Sequence, residues 1–220
     1  MYIPSHFAET DPETIHRFIE THSFGLLVSQ VAGRPFATHL PMLLERGANL
    51  GAVKSDSLGA AKQGALVGHL ARANPHWQSL ESCQVMAVFS GPHAYISPTW
   101  YESKQVVPTW NYAAVHVYGT VRMFEDPQRL LKIVEDSVST YEKHFPSPWS
   151  LPDEPQMVER LLRQIVGFRL EIERIEAKFK MSQNQPLERK EKVIRALRAH
   201  QNEESHAVAQ LMEARLSSQA

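Results

Sequence analysis

The sequence predicts a mainly β fold with peripheral helices, organised as a small antiparallel barrel, and three observations predict it. Runs rich in valine, isoleucine and aromatic residues follow one another with short links, at Gly25–Glu45, Gln84–Pro98, Asn111–Phe124 and Ile165–Met181; neighbouring strands joined this way pair antiparallel. A cap residue followed by proline, the mark of a helix start, stands at Asp11-Pro12, Asn74-Pro75 and Asp126-Pro127. Beyond Pro186 the apolar spacing is helical, so helices close the chain.

Each element has its own reason. After Asp11-Pro12, Ile15, Phe18 and Ile19 form one apolar stripe. Gly25–Glu45 reads as two strands turning at Ala32-Gly33, and the Gly-rich stretch that follows, to Gly64, as a loop around one short strand. Ala65–Ala71 is apolar enough for a buried strand and runs into the helix start at Asn74-Pro75. Gln84–Pro98 reads as strand, Gly-Pro kink, strand. After Asp126-Pro127, Leu130, Leu131, Val134, Val138 and Tyr141 share a helix face, and a shorter helix surrounds Met157–Leu162. In the last strand the apolar positions are even through Val166, Phe168, Leu170 and Ile172, then odd through Ile175, Ala177, Phe179 and Met181. A period of two changes parity only with an extra residue, which predicts a bulge near Glu173-Arg174. The tail predicts two amphipathic helices that break near Gln201-Asn202.

Composition removes several function classes. A net charge of −1 over 220 residues provides no global field for nucleic acid or an anionic membrane. The single cysteine, Cys83, excludes an internal disulfide framework and suits a reducing compartment. No apolar run approaches the roughly 20 residues that span a bilayer, and the acid- and proline-bearing N-terminus lacks a signal peptide's apolar run. The expectation is a cytoplasmic protein without a membrane partner.

The eleven histidines do not form a metal motif: His39, His69, His76, His93 and His116 are scattered, and the pairs 16/22 and 200/206 are six apart, which is the wrong helical spacing. A single axial haem ligand leaves no spacing to recognise, so haem stays open. Ser90-Gly91 lies outside a nucleophile elbow and Cys83 lacks a flanking signature. Phosphate has two candidate places. One is Arg72, Asn74 and His76, where a helix start and a guanidinium attract an anion, unless Asn74 only caps a surface helix. The other is Lys178 and Lys180 ahead of Ser182-Gln183-Asn184, unless these are a charged strand edge. The stretch SPTWYESKQVVPTWNY (97–112) places Trp100 and Trp110 on a proline-bracketed loop with Asn111 beside them. Two such indoles need a flat apolar cover, from core, from a second subunit or from a planar cofactor. The Asn111 amide, which both donates and accepts, suits the edge of a heterocycle.

Those segments, with MYIPSHF (1–7), THLPMLLE (38–45), GHLARANPHW (68–77), VHVYGTVR (115–122) and KFKMSQNQP (178–186), resemble the PaiB family of FMN-binding split-barrel proteins, whose founding members are described as negative regulators of protease synthesis and sporulation. The resemblance implies a six-stranded antiparallel split β-barrel over 1–185 with a C-terminal helical extension, 186–220, packed on it. It further implies a homodimer with FMN in a cleft at the interface. By position, Thr38, His39, Leu40 and Pro41 would line the flavin, and His69, Arg72, Asn74 and His76 would surround its phosphate. Trp110 and Asn111 would lie against the ring, with Lys178, Gln183 and Asn184 closing the site.

Three functions are open on this reading: a flavin-linked negative transcriptional regulator, a flavin oxidoreductase of the pyridoxamine phosphate oxidase and flavin reductase group, and a haem-binding or haem-degrading barrel. In the second, the flavin carries the redox chemistry, and His39, His116 and Tyr112 are the candidate proton donors near it. For the first, DNA or a regulatory protein is the implied partner. From Pro186 on, six basic residues face five acids, which argues against direct DNA binding, because phosphate neutralisation needs a basic stripe.

Overall fold

The turn at Ala32-Gly33 closes a hairpin in the computed structural model, which describes residues 1–47, 64–101 and 106–217. Strands β1 (Phe24–Val31) and β2 (Arg34–Pro41) pair antiparallel from Phe24↔Pro41 to Val31↔Arg34. Ala32 and Gly33 have φ of 50° and 75°, the left-handed pair that matches the twist of a two-residue hairpin. The same stretch then yields a third strand where two were expected. Met42 leaves the hairpin, its N–H donating to Ser23 O at 2.9 Å. Strand β3 (Leu43–Arg46) pairs with β4 (Gly64–Ala71) instead of with β1. The short strand expected between them lies outside the described residues.

With β5 (Gln84–Ile96), β6 (Thr109–Phe124) and β7 (Ile165–Lys180), the sheet has seven strands in the order β2-β1-β5-β6-β7-β4-β3. This corrects the expectation of six: β3 is the addition, created by the change of partner at Met42. Gly91-Pro92 does not split β5 into two strands as expected. The strand runs through, and its buried side changes from Val85, Ala87 and Phe89 to Pro92, Ala94 and Ile96. Strand β7 does the same at the predicted place, with Glu173 and Arg174 both exposed between the buried sets Phe168, Leu170, Ile172 and Ile175, Ala177, Phe179.

Two compact units divide the chain, Met1–Phe18 with Ser90–His116 and Glu176–Ala220, here the terminal unit, and Ile19–Phe89 with Val117–Ile175, the central unit. In the central unit α2 (Pro127–Glu142) begins at the Asp126 cap, whose Oδ1 accepts from Arg129 N at 2.9 Å. Its Leu130 and Ile133, with Leu162 of α3 (Pro155–Leu162), form a cluster with Val67 and Phe124 of the sheet. The shared face predicted for α2 continues to Tyr141, whose hydroxyl lies 2.9 Å from Ser23 Oγ.

Helix α1 (Pro12–Thr21) starts as predicted, Asp11 Oδ2 accepting from Thr14 N at 2.8 Å. In the terminal unit its Phe18 ring tilts against Phe179 at 5.0 Å. The tail forms α4 (Leu187–Ala199) and α5 (Glu203–Ser217), broken where expected. Val193, Leu197, Val208 and Met212 are buried there. Among the described residues no helix is long and apolar enough to cross a membrane, and no cluster of three His, Cys, Asp or Glu side chains is able to hold a metal ion.

Candidate functional site

The residues expected at a flavin fall into two groups, one in each unit. In the central unit, Thr38, His39, Leu40 and Pro41 end β2, His69 lies on β4, and Asn74 caps a 3₁₀ turn, Pro75–Ser79. The helix expected at Asn74-Pro75 is thus a single short turn, with little dipole to offer an anion. His76 is fully buried in it, and both ring nitrogens are engaged: Nε2 lies 2.7 Å from Ser29 Oγ and Nδ1 2.8 Å from Thr38 Oγ1. Asn74 holds this arrangement by accepting from His76 N (3.0 Å) and donating from Nδ2 to Thr38 Oγ1 (3.2 Å). The Phe36 ring covers the imidazole at 4.6 Å. His76 therefore positions the hydroxyl of Thr38; it has no free ring nitrogen with which to meet a phosphate.

Arg72 is similarly tied. Its Nε donates to Arg163 O (2.8 Å), Nη2 to Ile165 O (3.1 Å) and Nη1 to Glu125 (2.6 Å). Three of the five N–H groups of a guanidinium are thereby committed, and Arg72 O accepts from Trp77 Nε1 at 2.9 Å. Arg72 fastens the end of β4 to the start of β7. His39 is exposed, its ring stacked on Phe24 at 6.2 Å. His69 is half-buried, and burial holds its pKa below the usual 6.5, as it does for His76. His116 is lowered by burial and then by the N-terminal ammonium.

In the terminal unit, Trp110 and Asn111 lie on β6, not on the loop expected. Alternation sends them to opposite sides of the strand. Trp110 stays 52% exposed, edge-on to Tyr95 at 5.8 Å and 6.1 Å from His93. Asn111 is fully buried: its amide donates to Ser182 Oγ (3.0 Å) and approaches Met212 Sδ (3.5 Å). Ser182 has a φ of 60°, a left-handed turn that brings its hydroxyl back toward β6. Gln183 closes the same turn with both ends of its amide, Oε1 accepting from Met181 N (2.6 Å) and Nε2 donating to Phe179 O. Lys178 is buried, donates to Tyr2 O (3.1 Å), and sits over the rings of Tyr112 (5.2 Å) and Tyr2 (5.6 Å).

A cavity of about 320 Å³ gathers part of the second expected anion group, Lys180, Ser182 and Asn184, with Asn111, Arg189 and Tyr101. Its volume is at the lower end of the range for small-molecule sites. Lys180 donates to Trp110 O at 2.7 Å and to Thr109 Oγ1. Burial, then the neighbouring Lys178, lowers its pKa. Arg189 was missed because it reads as one cation of an amphipathic helix; the signal was its place in the first turn after the Ser-Gln-Asn-Gln-Pro segment.

This donor set suits a planar, phosphorylated heterocycle. In the cavity Lys180 and Arg189 offer positive charge, and the amides and hydroxyls offer both hydrogen-bond senses; exposed Trp110, with Tyr95 against it, offers flat apolar area on the opposite side of β6.

Comparison with known proteins agrees. A family model described as "Putative FMN-binding domain" matches residues 1–174. Over 222 residues, and all of both chains, the sequence is 40% identical to protease synthase and sporulation protein PAI 2 of Bacillus subtilis (strain 168). Among solved structures, the flavocytochrome Anf3 from Azotobacter vinelandii matches with a TM-score of 0.55 at 15% identity, over 81% of this chain and 72% of that one. The FAD and heme binding protein from Mycobacterium smegmatis matches at 0.52 and 13%, over 78% and 72%. At such identities the likeness is one of fold, a mainly antiparallel sheet with helices in the manner of the split barrels.

Proposed function

The chain belongs to the FMN-binding domain family, whose model spans residues 1–174, and from that premise we propose that it is a PaiB-like negative regulator of transcription that carries FMN at the interface of a homodimer. The observation that carries this reading is the 40% identity to PAI 2 over the full length of both chains. FMN is the cofactor of the family; when bound it supplies a redox-active ring. In this proposal the exposed face of Trp110 and Tyr95 in one subunit takes the ring, and Lys180 and Arg189 in the cavity of the other subunit hold the phosphate. In the central unit, His76 and Asn74 hold the hydroxyl of Thr38 in place at the end of β2.

The regulator reaches its promoters through another protein. Charge favours this, because two of the five cations of α4 are neutralised locally, Lys192 pairing with Glu188 at 2.9 Å and Arg198 with Glu213 at 2.6 Å, and the segment from Pro186 on is nearly balanced. That leaves little of the basic stripe a DNA reader needs. Complementation tests the reading. Expression in a Bacillus subtilis strain lacking PAI 2 is expected to return protease synthesis to the parental level. Trp110→Ala is expected to fail in that strain and to weaken FMN binding about tenfold, or to loosen the dimer, by removing about 1.4 kcal/mol of ring contact. Absent complementation, combined with NAD(P)H turnover that disappears on stripping FMN, would replace the regulator with an oxidoreductase.

A further inference from the structure

A second concave surface lies in the central unit, built from α2, α3 and the proline-rich connector between them. It encloses about 560 Å³, and Leu131, Leu151, Val158 and Leu162 supply apolar side chains to it. Four carboxylates, Glu135, Asp153, Glu154 and Glu159, also line it, and no Lys, Arg or His does. Glu159 has Arg163 at 3.6 Å, whereas Asp153 and Glu154 make no ion pair among the described residues. The same elements also expose large apolar side chains: Phe145 and Trp149 on the connector are 59% and 55% exposed, and Leu161 of α3 is 49% exposed. An apolar groove rimmed by carboxylates is the form a partner-binding surface takes.

We propose that this groove docks a basic amphipathic helix of a partner protein. The apolar floor takes the helix's hydrophobic stripe, and the carboxylates meet lysines and arginines on either side of it. Three of the lining residues, Pro127, Pro152 and Pro155, have no backbone N–H. At those positions the wall offers no main-chain donor to an added strand, which favours a partner segment that satisfies its own backbone, as a helix does. The same carboxylates repel nucleic acid and anionic lipid. The proposal is independent of the flavin, because none of these residues belongs to the groups assigned to it.

The experiment uses the full chain with FMN and a labelled 16-residue helical peptide carrying two leucines four residues apart, flanked by four lysines. Fluorescence anisotropy is expected to show binding that weakens with salt. It is expected to be at least about tenfold tighter than that of the same peptide with glutamates for lysines. The double variant Asp153→Lys, Glu154→Lys changes only exposed side chains and is expected to lose at least about tenfold while keeping its FMN and its unfolding midpoint. Val158→Arg, on the apolar floor, is expected to lose binding as well. Equal affinity for both peptides, or unchanged binding by the double variant, would overturn the proposal. So would sedimentation showing that wild-type chains self-associate through the groove and that the double variant does not, since the occupant would then be a second copy.

Discussion

Phe168→Ala is expected to lower the free energy of unfolding by about 3–5 kcal/mol, read from urea denaturation at neutral pH. Phe168 is fully buried on β7 and faces Gly68 on β4 in register. A Cβ at position 68 would come within 2.9 Å of Phe168 Cε1 and Cζ, and within 2.9 Å of Pro41 O. The ring thus lies flat on the bare backbone of β4, next to the end of β2. Removing it leaves a void against the bare backbone of β4, which strand pairing holds in place, so that wall cannot close by side-chain rearrangement. The reciprocal change, Gly68→Ala, would press on the same ring. A cost below about 1 kcal/mol for Phe168→Ala would mean that this contact does not organise the central unit.

His76→Ala is expected to cost about 2–4 kcal/mol at pH 7.5, because it removes a buried ring, takes from the Ser29 hydroxyl its ring partner and leaves Thr38 with Asn74 alone. The cost is expected to shrink at pH 5.5. Burial disfavours the imidazolium, so the folded pKa of His76 lies below the ordinary 6.5. Between those two values the unfolded chain binds more protons than the folded one, and stability rises with pH. The contribution is complete above pH 6.5 and is lost as pH falls through the lower folded value. His69 and His116 are depressed in the same direction, so the wild type is expected to weaken between pH 7.5 and 5.5. His76→Ala is expected to show a shallower slope over that range. Identical slopes for both proteins, from urea midpoints at the two pH values, would show that His76 does not carry this linkage.

Much of the fold was legible because the sequence announces it locally. Asp11 and Asp126 cap their helices as cap-then-proline pairs predict, and the parity change in β7 appears at Glu173-Arg174. What the sequence does not announce is tertiary. Nothing in Pro41-Met42-Leu43 says that the chain changes partner there, because the hydrophobic run is continuous across the break. The Gly91-Pro92 pair reads as a strand breaker but is absorbed inside β5 by a change of buried side.

The candidate site was legible as residue types and less so as roles. Asn111 and Asn184 do line a cavity. His76, Arg72, Gln183 and Lys178 carry the same polar groups a ligand would want, but fold-internal partners engage them. Arg189, on α4, joins the cavity from beyond the left-handed turn at Ser182, whereas Lys180 lines it from the end of β7. Sequence spacing cannot reveal which donors a fold consumes internally.

The most direct test of the whole account is the absorbance spectrum of freshly purified protein, with the released chromophore weighed by mass spectrometry. Flavin bands, and a released mass equal to that of FMN at about one per chain, are the predicted result. A colourless protein that also fails to take up added FMN, or a chromophore with a haem Soret band, would contradict it.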